Sequence, residues 1–174
     1  MADVRAKDIM IPLNDYPHIP HFFTLKQAVV LMENSTIKVG DRVSLPRSIL
    51  VFDEKYQLVG LVRRRDLLRG LEPDFLRRMP LQNRRELFDV SVDSNLAEVT
   101  AGRIASEVIH QGERQVSELV HPLDARVKQT DSLARIVHEM VSHHQNLVPV
   151  TDENRIVGVV RSVDVFHEVA KLVI

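Results

Sequence analysis

Leu58-Val59-Gly60-Leu61-Val62-Arg63-Arg64-Arg65-Asp66-Leu67 and Ile156-Val157-Gly158-Val159-Val160-Arg161-Ser162-Val163-Asp164-Val165 are two copies of one pattern, aligned without a gap at an offset of 98. Gly, Arg and Asp recur in register, and the positions around them are apolar in both copies. At the same offset upstream, Ile49-Leu50-Val51-Phe52-Asp53 matches Leu147-Val148-Pro149-Val150-Thr151. A polar tetrad, Glu54 to Gln57 or Asp152 to Arg155, separates each pair of apolar runs. Strand, turn, strand is the reading, hence one β-hairpin per copy. A helix begins near Asp66 and near Asp164. Pro149 inside its run predicts an edge position or a strand start, because proline cannot donate to a ladder.

The repeat extends further upstream. Thr24 to Met32 matches Ser132 to Met140, and Thr24 and Ser132 suit helix N-caps. Thr24 with Gln27 predicts a capping box. Leu133, Ile136, Val137, Met140 and Val141 fall on one helical face, as do Leu25, Ala28, Val29 and Met32. The first copy carries about ten extra residues near Thr36 to Leu45, with a turn at Gly40-Asp41, which predicts a surface loop. Lys7 to Pro12 resembles Ser117 to Pro122 and predicts an extended lead-in segment. Each unit therefore reads lead-in, helix, strand, strand, helix. The units span 1–70 and 116–174, joined by a helical linker at 71–115. Pro73 and Pro80 punctuate that linker; Asp93-Ser94-Asn95 offers caps; Leu96, Val99, Ile104, Val108 and Ile109 supply apolar surface. Gly112 suits the residue just past the helix end.

Gly, two apolar residues, a polar residue, two variable residues, Asp, apolar: this ending of each hairpin resembles the signature of CBS domains, named for cystathionine β-synthase. Two copies in register, with matching upstream elements, make the resemblance specific. It covers nearly all of the chain except the linker and the first-half loop. It implies an α+β fold of two β-α-β-β-α repeats related by a pseudo-twofold axis, with sheets packed together and two clefts between the repeats. It also implies dimerisation into a flat disc and binding of an adenosine-containing ligand: AMP, ADP, ATP or S-adenosylmethionine.

The resemblance assigns ribose binding to Asp66 and Asp164. One carboxylate can accept from both hydroxyls of a ribose, and a helix N-terminus beside it favours phosphate. The alternative is that each Asp only caps its helix. This chain departs from the family where Thr or Ser is usual, carrying Arg63 and Arg161. Either the two arginines pair with phosphate oxygens, or their guanidinium groups fill the clefts or point to solvent and leave the sites degenerate. The family's adenine contacts map onto Met10, Ile11 and Pro12 with Ile49 and Leu50, and onto Val120, His121 and Pro122 with Leu147, Val148 and Pro149. Core packing is the alternative for each, and an ordinary surface histidine is the alternative for His121.

Bulk properties narrow the classes of function. The 174 residues are 44% hydrophobic and 27% charged, with net charge −1, so no global field favours nucleic acid or an anionic membrane. Cysteine is absent, which removes disulfides and thiolate chemistry. No secretory signal or membrane helix is read, and the expected setting is cytoplasmic. His18-x-x-His21 and His143-His144 lack the convergence a metal site needs, and no metal is expected. The basic stretch Arg63 to Arg65, Arg69, Arg77-Arg78 and Arg84-Arg85 is interleaved with Asp66, Glu72, Asp74 and Glu86, so nucleic acid is not the expected partner. No P-loop, Gly-x-Ser-x-Gly or Gly-rich dinucleotide turn occurs, and no enzyme is expected. The expectation is a homodimeric regulatory module that senses an adenine nucleotide and signals to an effector protein in trans. The competing expectation is a structural dimerisation module with degenerate sites.

Overall fold

The computed structural model describes residues 4–78 and 94–174, with side chains from residue 100 onward in the second span. The readings placed on Pro80, Arg84, Arg85, Glu86 and Asp93, and on the side chains of Leu96 and Val99, lie outside the described residues. The first copy comprises helix α1 (Ala6–Ile9), strands β1 (Ile11–Pro12) and β2 (His18–Pro20), α2 (Leu25–Asn34), β3 (Ile37–Val39), β4 (Arg42–Ser44), β5 (Ser48–Phe52), β6 (Leu58–Arg63) and α3 (Arg64–Leu71). A short α4 (Asp74–Arg78) and a long α5 (Ser94–Gln111) follow. The second copy holds β7 (Val127–Lys128), α6 (Leu133–Ser142), β8 (Leu147–Asp152), β9 (Arg155–Arg161) and α7 (Ser162–Val173).

The local signals act as their chemistry dictates. Thr24 Oγ1 accepts from the Gln27 amide at 3.2 Å and Gln27 Oε1 accepts from the Thr24 amide at 2.8 Å, closing the capping box of α2. Ser132 Oγ accepts from the Arg135 amide and caps α6. Ile136 and Met140 are buried on the α6 stripe, which stops short of Val141, two-thirds exposed. The β8–β9 turn places Glu153 and Asn154 both at positive φ, the form of two-residue turn that matches strand twist.

Among the described residues two main sheets form, in the orders β2-β5-β6 and β1-β9-β8-β7, beside a two-stranded β3-β4 ribbon. The lead-in segments cross between them. β1 of the first copy pairs with β9 of the second, Ile11 opposite Val159 and Pro12 opposite Gly158. His121 of the second copy bridges Leu61 on β6, through amide–carbonyl bonds of 2.9 and 2.8 Å in both directions. Each lead-in begins with a helical turn, α1 or a 3-10 turn at Val116–Leu119, so the fully extended reading is corrected there. Ala6 and Ile9 join the helix-side core of the second copy, and Val116 joins that of the first. Between the sheets, Ile11, Leu50, Leu61, Leu147 and Val159 share a third core with Tyr16 and Ile37. Burying such side chains contributes roughly 1.5–3 kcal/mol each.

Two further expectations are corrected. Pro149 sits in β8, which has a neighbour on each side; proline is tolerated because the β7 ladder starts only at Val150. Gly112 stands just past the end of α5, as read, but keeps a negative φ, since the chain leaves the helix through amide bonds to Val108 and Ile109 carbonyls rather than a left-handed cap. The carbonyls of Gly112 and Arg114 then accept from the Lys26 and Leu25 amides, satisfying first-turn donors of α2. Finally, Thr36 to Leu45 is a hairpin: Ile37 pairs with Ser44 and Val39 with Arg42 around Gly40-Asp41, with Gly40 at φ +57°.

Candidate functional site

Each repeat ends its hairpin by turning straight into a helix, which places the repeated Asp in the first turn. Asp66 and Asp164 are both buried, 3% and 2% exposed. Neither is the N-cap; that position belongs to Arg63 and Arg161. Asp66 Oδ2 reaches back to accept from the Arg63 amide at 3.0 Å.

Both arginines fold onto their own carboxylate. Arg63 Nε donates to Asp66 Oδ2 at 2.9 Å and Nη2 to Oδ1 at 3.1 Å. Arg161 Nε donates to Asp164 Oδ2 at 2.7 Å and Nη2 to Oδ1 at 3.1 Å. These are two-bond, charge-assisted pairs. Each guanidinium occupies two of the roughly four acceptor sites of its carboxylate, so a ribose must share the carboxylate with the arginine or displace it.

Beyond that shared motif the surroundings of the two aspartates differ. At Asp66, the crossed lead-in supplies His121, whose Nε2 lies 3.0 Å from Asp66 Oδ1 and 3.1 Å from Arg63 Nη2. That nitrogen can donate to the first or accept from the second, but not both at once. Burial alone would raise the Asp66 carboxyl; the Arg63 guanidinium and amide, then His121, outweigh it and hold the group at about 2. Arg64 turns away and donates to the Pro46 carbonyl at 2.7 Å.

At Asp164, the β3–β4 hairpin of the first repeat supplies the extra groups. Arg42 Nη2 approaches Asp164 Oδ1 at 3.4 Å, and Arg161 Nη1 donates to Ser44 Oγ at 2.8 Å. Buried Tyr16 is close enough to feel the charge of Arg161; burial pushes its phenol up, against that charge and the hydrogen bond with Ser48. Its hydroxyl lies 2.9 Å from the Ser48 carbonyl and 3.0 Å from Ser48 Oγ.

The apolar candidates separate by face. Ile49 and Val148 are fully buried in the helix-side cores of their own repeats, so only their backbones can meet a ligand. Leu50 and Leu147 face the layer between the sheets. Because the lead-ins cross, Met10, Ile11 and Pro12 sit against β9 of the second repeat and the segment at Val120, His121 and Pro122 against β6 of the first. Val120 packs on the first-repeat core, while His121 and Pro122 are exposed. Pro149 is buried opposite Val159. A groove of about 670 Å³ runs between residues 14–18 and the end of α2, but neither aspartate lines it.

Arg42 and Ser44 were not among the residues singled out from the sequence. Ile37-Lys38-Val39 and Arg42-Val43-Ser44 alternate around a Gly-Asp turn, which is the hairpin signal that would have found them. His18 joins the Tyr16 carbonyl at 2.8 Å and the Tyr56 hydroxyl at 3.1 Å, while the buried Nδ1 of His21 meets no hydrogen-bond partner among the described residues. Among the described residues no three His, Asp or Glu side chains gather as metal ligands, and no helix is long and apolar enough to cross a membrane.

The family described as CBS domain matches residues 6–73 and 116–171. Among solved structures, the CBS domain of a CBS domain-containing membrane protein from Sphaerobacter thermophilus is similar over 95% of this chain and 87% of its own, at 19% identity and a TM-score of 0.64. The CBS domains of a transcriptional regulator from Streptococcus pneumoniae match over 94% and 98%, at 16% identity and a TM-score of 0.57. CBSX2, solved in complex with AMP, matches over 97% of both chains, at 16% identity and a TM-score of 0.58. At these identities the likeness is one of fold. No curated protein matches the sequence.

Proposed function

The chain belongs to the CBS domain family, with two copies of the domain, and from that premise we propose that it is a non-catalytic regulatory module that binds an adenine nucleotide between its repeats. Proteins built from CBS pairs are commonly regulatory, and one structural neighbour holds AMP. The observation that carries the reading is the charge balance at the Asp164 cleft. Two guanidinium groups, Arg42 and Arg161, face one carboxylate. A surplus cation beside a helix N-terminus suits a phosphate, and a phosphate that takes the guanidinium groups leaves Asp164 free for ribose hydroxyls. Arg63 with His121 offers a weaker version at Asp66.

A second copy of the chain belongs to the same reading. Leu68 and Phe166 occupy equivalent positions in the two repeats, and each is exposed, 68% and 73%. Matched apolar residues on the final helices suit a homodimer in which they are covered. Ligand binding then favours one arrangement of the repeats, and an effector protein in trans, in the cytoplasm, reads it.

The second reading is a structural dimerisation module. It draws on the same arginines, since each carboxylate is already satisfied within its own repeat. Thermal melts with AMP, ADP, ATP and S-adenosylmethionine separate the two. At about 100 times Kd, a ligand of the native state adds about 2.7 kcal/mol, and Asp164→Ala should abolish the shift. Curves unmoved by all four compounds would leave the scaffold.

A further inference from the structure

We propose that the β3–β4 hairpin is a strap, lent by the first repeat, that closes the second cleft and tightens when a phosphate-bearing ligand occupies it. The hairpin belongs to neither main sheet; among the described residues β3 and β4 pair only with each other. Two strands alone are marginally stable in water, so something else must hold these. On β3, Ile37 is fully buried in the layer between the sheets and Val39 packs beside it. On β4, Val43 and Leu45 just beyond it are well exposed. That strand is tied down by polar contacts: Arg42 to Asp164 at 3.4 Å and Ser44 to Arg161 at 2.8 Å. Both ties run to the second repeat, 117 to 122 residues away in sequence. The contact is asymmetric, because the second copy has no counterpart hairpin to lay across Asp66.

The Arg42 contact is long and its guanidinium is nearly half exposed, so it is a weak tie. An anion between Arg42 and Arg161 would bond both at once and replace it with stronger charge-assisted bonds. The strap is then held through the ligand, and occupancy of the second cleft is felt by an element of the first repeat. Only this last step rests on the nucleotide reading; the strap itself does not.

Hydrogen exchange at the amides of residues 37–44 tests both parts. Without ligand, Ser44→Ala should speed exchange there by roughly tenfold, as expected for loss of one such bond, and Arg42→Ala by about twofold to fivefold, as expected for the weaker tie, while β5 and β6 keep their rates. Unchanged rates in the hairpin, or an equal rise throughout the chain, would overturn the strap. With ATP or inorganic pyrophosphate added to the wild type, exchange in 37–44 should slow, and Arg42→Ala should weaken binding about tenfold. If the variants loosen the hairpin but neither anion binds, the strap stands and the nucleotide reading falls. If ATP binds yet leaves the hairpin rates and the Arg42→Ala affinity unchanged, the ligand-tightened strap is refuted and the nucleotide reading survives.

Discussion

Replacing Gly60 by alanine should be among the most damaging single changes in this chain, although it adds only one methyl group. A Cβ at Gly60 would fall inside van der Waals contact with the His121 carbonyl oxygen and 2.8 Å from both the carbonyl carbon and Val120 Cγ1. Two of these atoms are backbone, fixed by the paired bonds between Leu61 and His121, so they cannot swing aside. Relief requires the lead-in to lift, which gives up two hydrogen bonds worth about 1 kcal/mol each, or strain of about 1–3 kcal/mol if it stays. The expected loss is about 2–4 kcal/mol, measured as the fall in the urea midpoint at constant slope. Gly102→Ala is the control. It lies within α5, and a Cβ there meets nothing within 4 Å among the described residues. It should gain about 0.5–1 kcal/mol from helix propensity. A Gly60→Ala protein within about 0.5 kcal/mol of wild type would refute the crossed contact.

Three further outcomes are expected. The Asp66 carboxyl is lowered from 3.8 to about 2, so its contribution is complete above pH 4 and is lost as pH falls through 2. That shift corresponds to about 2 kcal/mol, discounted to on the order of 1 because Arg63 is 55% exposed; Asp66→Asn should flatten stability between pH 4 and pH 2 by that amount in urea titrations. Asp164→Ala should cost more than Asp66→Ala, about 2–3 against about 1 kcal/mol, because the arginine it strands is only 14% exposed; equal losses in denaturant melts would contradict the asymmetry. Phe166→Glu should leave the fold intact within about 0.5 kcal/mol yet shift light-scattering mass toward the monomer, and an unchanged mass would remove the final helices from the dimer surface.

The sequence disclosed whatever is local. The Thr24-Gln27 box, the stripe through Ile136 and Met140, and both hairpins around polar tetrads depend on neighbours a few residues away, and each formed as read, save that the stripe leaves Val141 exposed. The repeat in turn placed Asp66 and Asp164 at equivalent turns into helices. What could not be read is what meets what across the pseudo-twofold. Pairing Met10 to Pro12 with β9 rather than with their own hairpin leaves no periodic trace, since either partner buries the same face of Ile11. The arrival of Arg42 and Ser44 at Asp164 depends on where a hairpin points after the sheets have packed, which no spacing encodes. The repeated arginines were visible as departures, but their inward fold follows from the distance between N-cap and third helical residue on a structure already built.

The exchange of lead-in segments also sets an order of events during synthesis on the ribosome. Ile11 has no partner until Val159 has been made, and Leu61 waits for His121. Contacts so far apart in sequence slow the final step of folding, and in the interval β6 and β1 present bare edges to other nascent chains. A halt in translation between the two repeats would therefore release a fragment prone to pair with its own kind, and coexpressed halves should recover the native molecule by trading their lead-in segments.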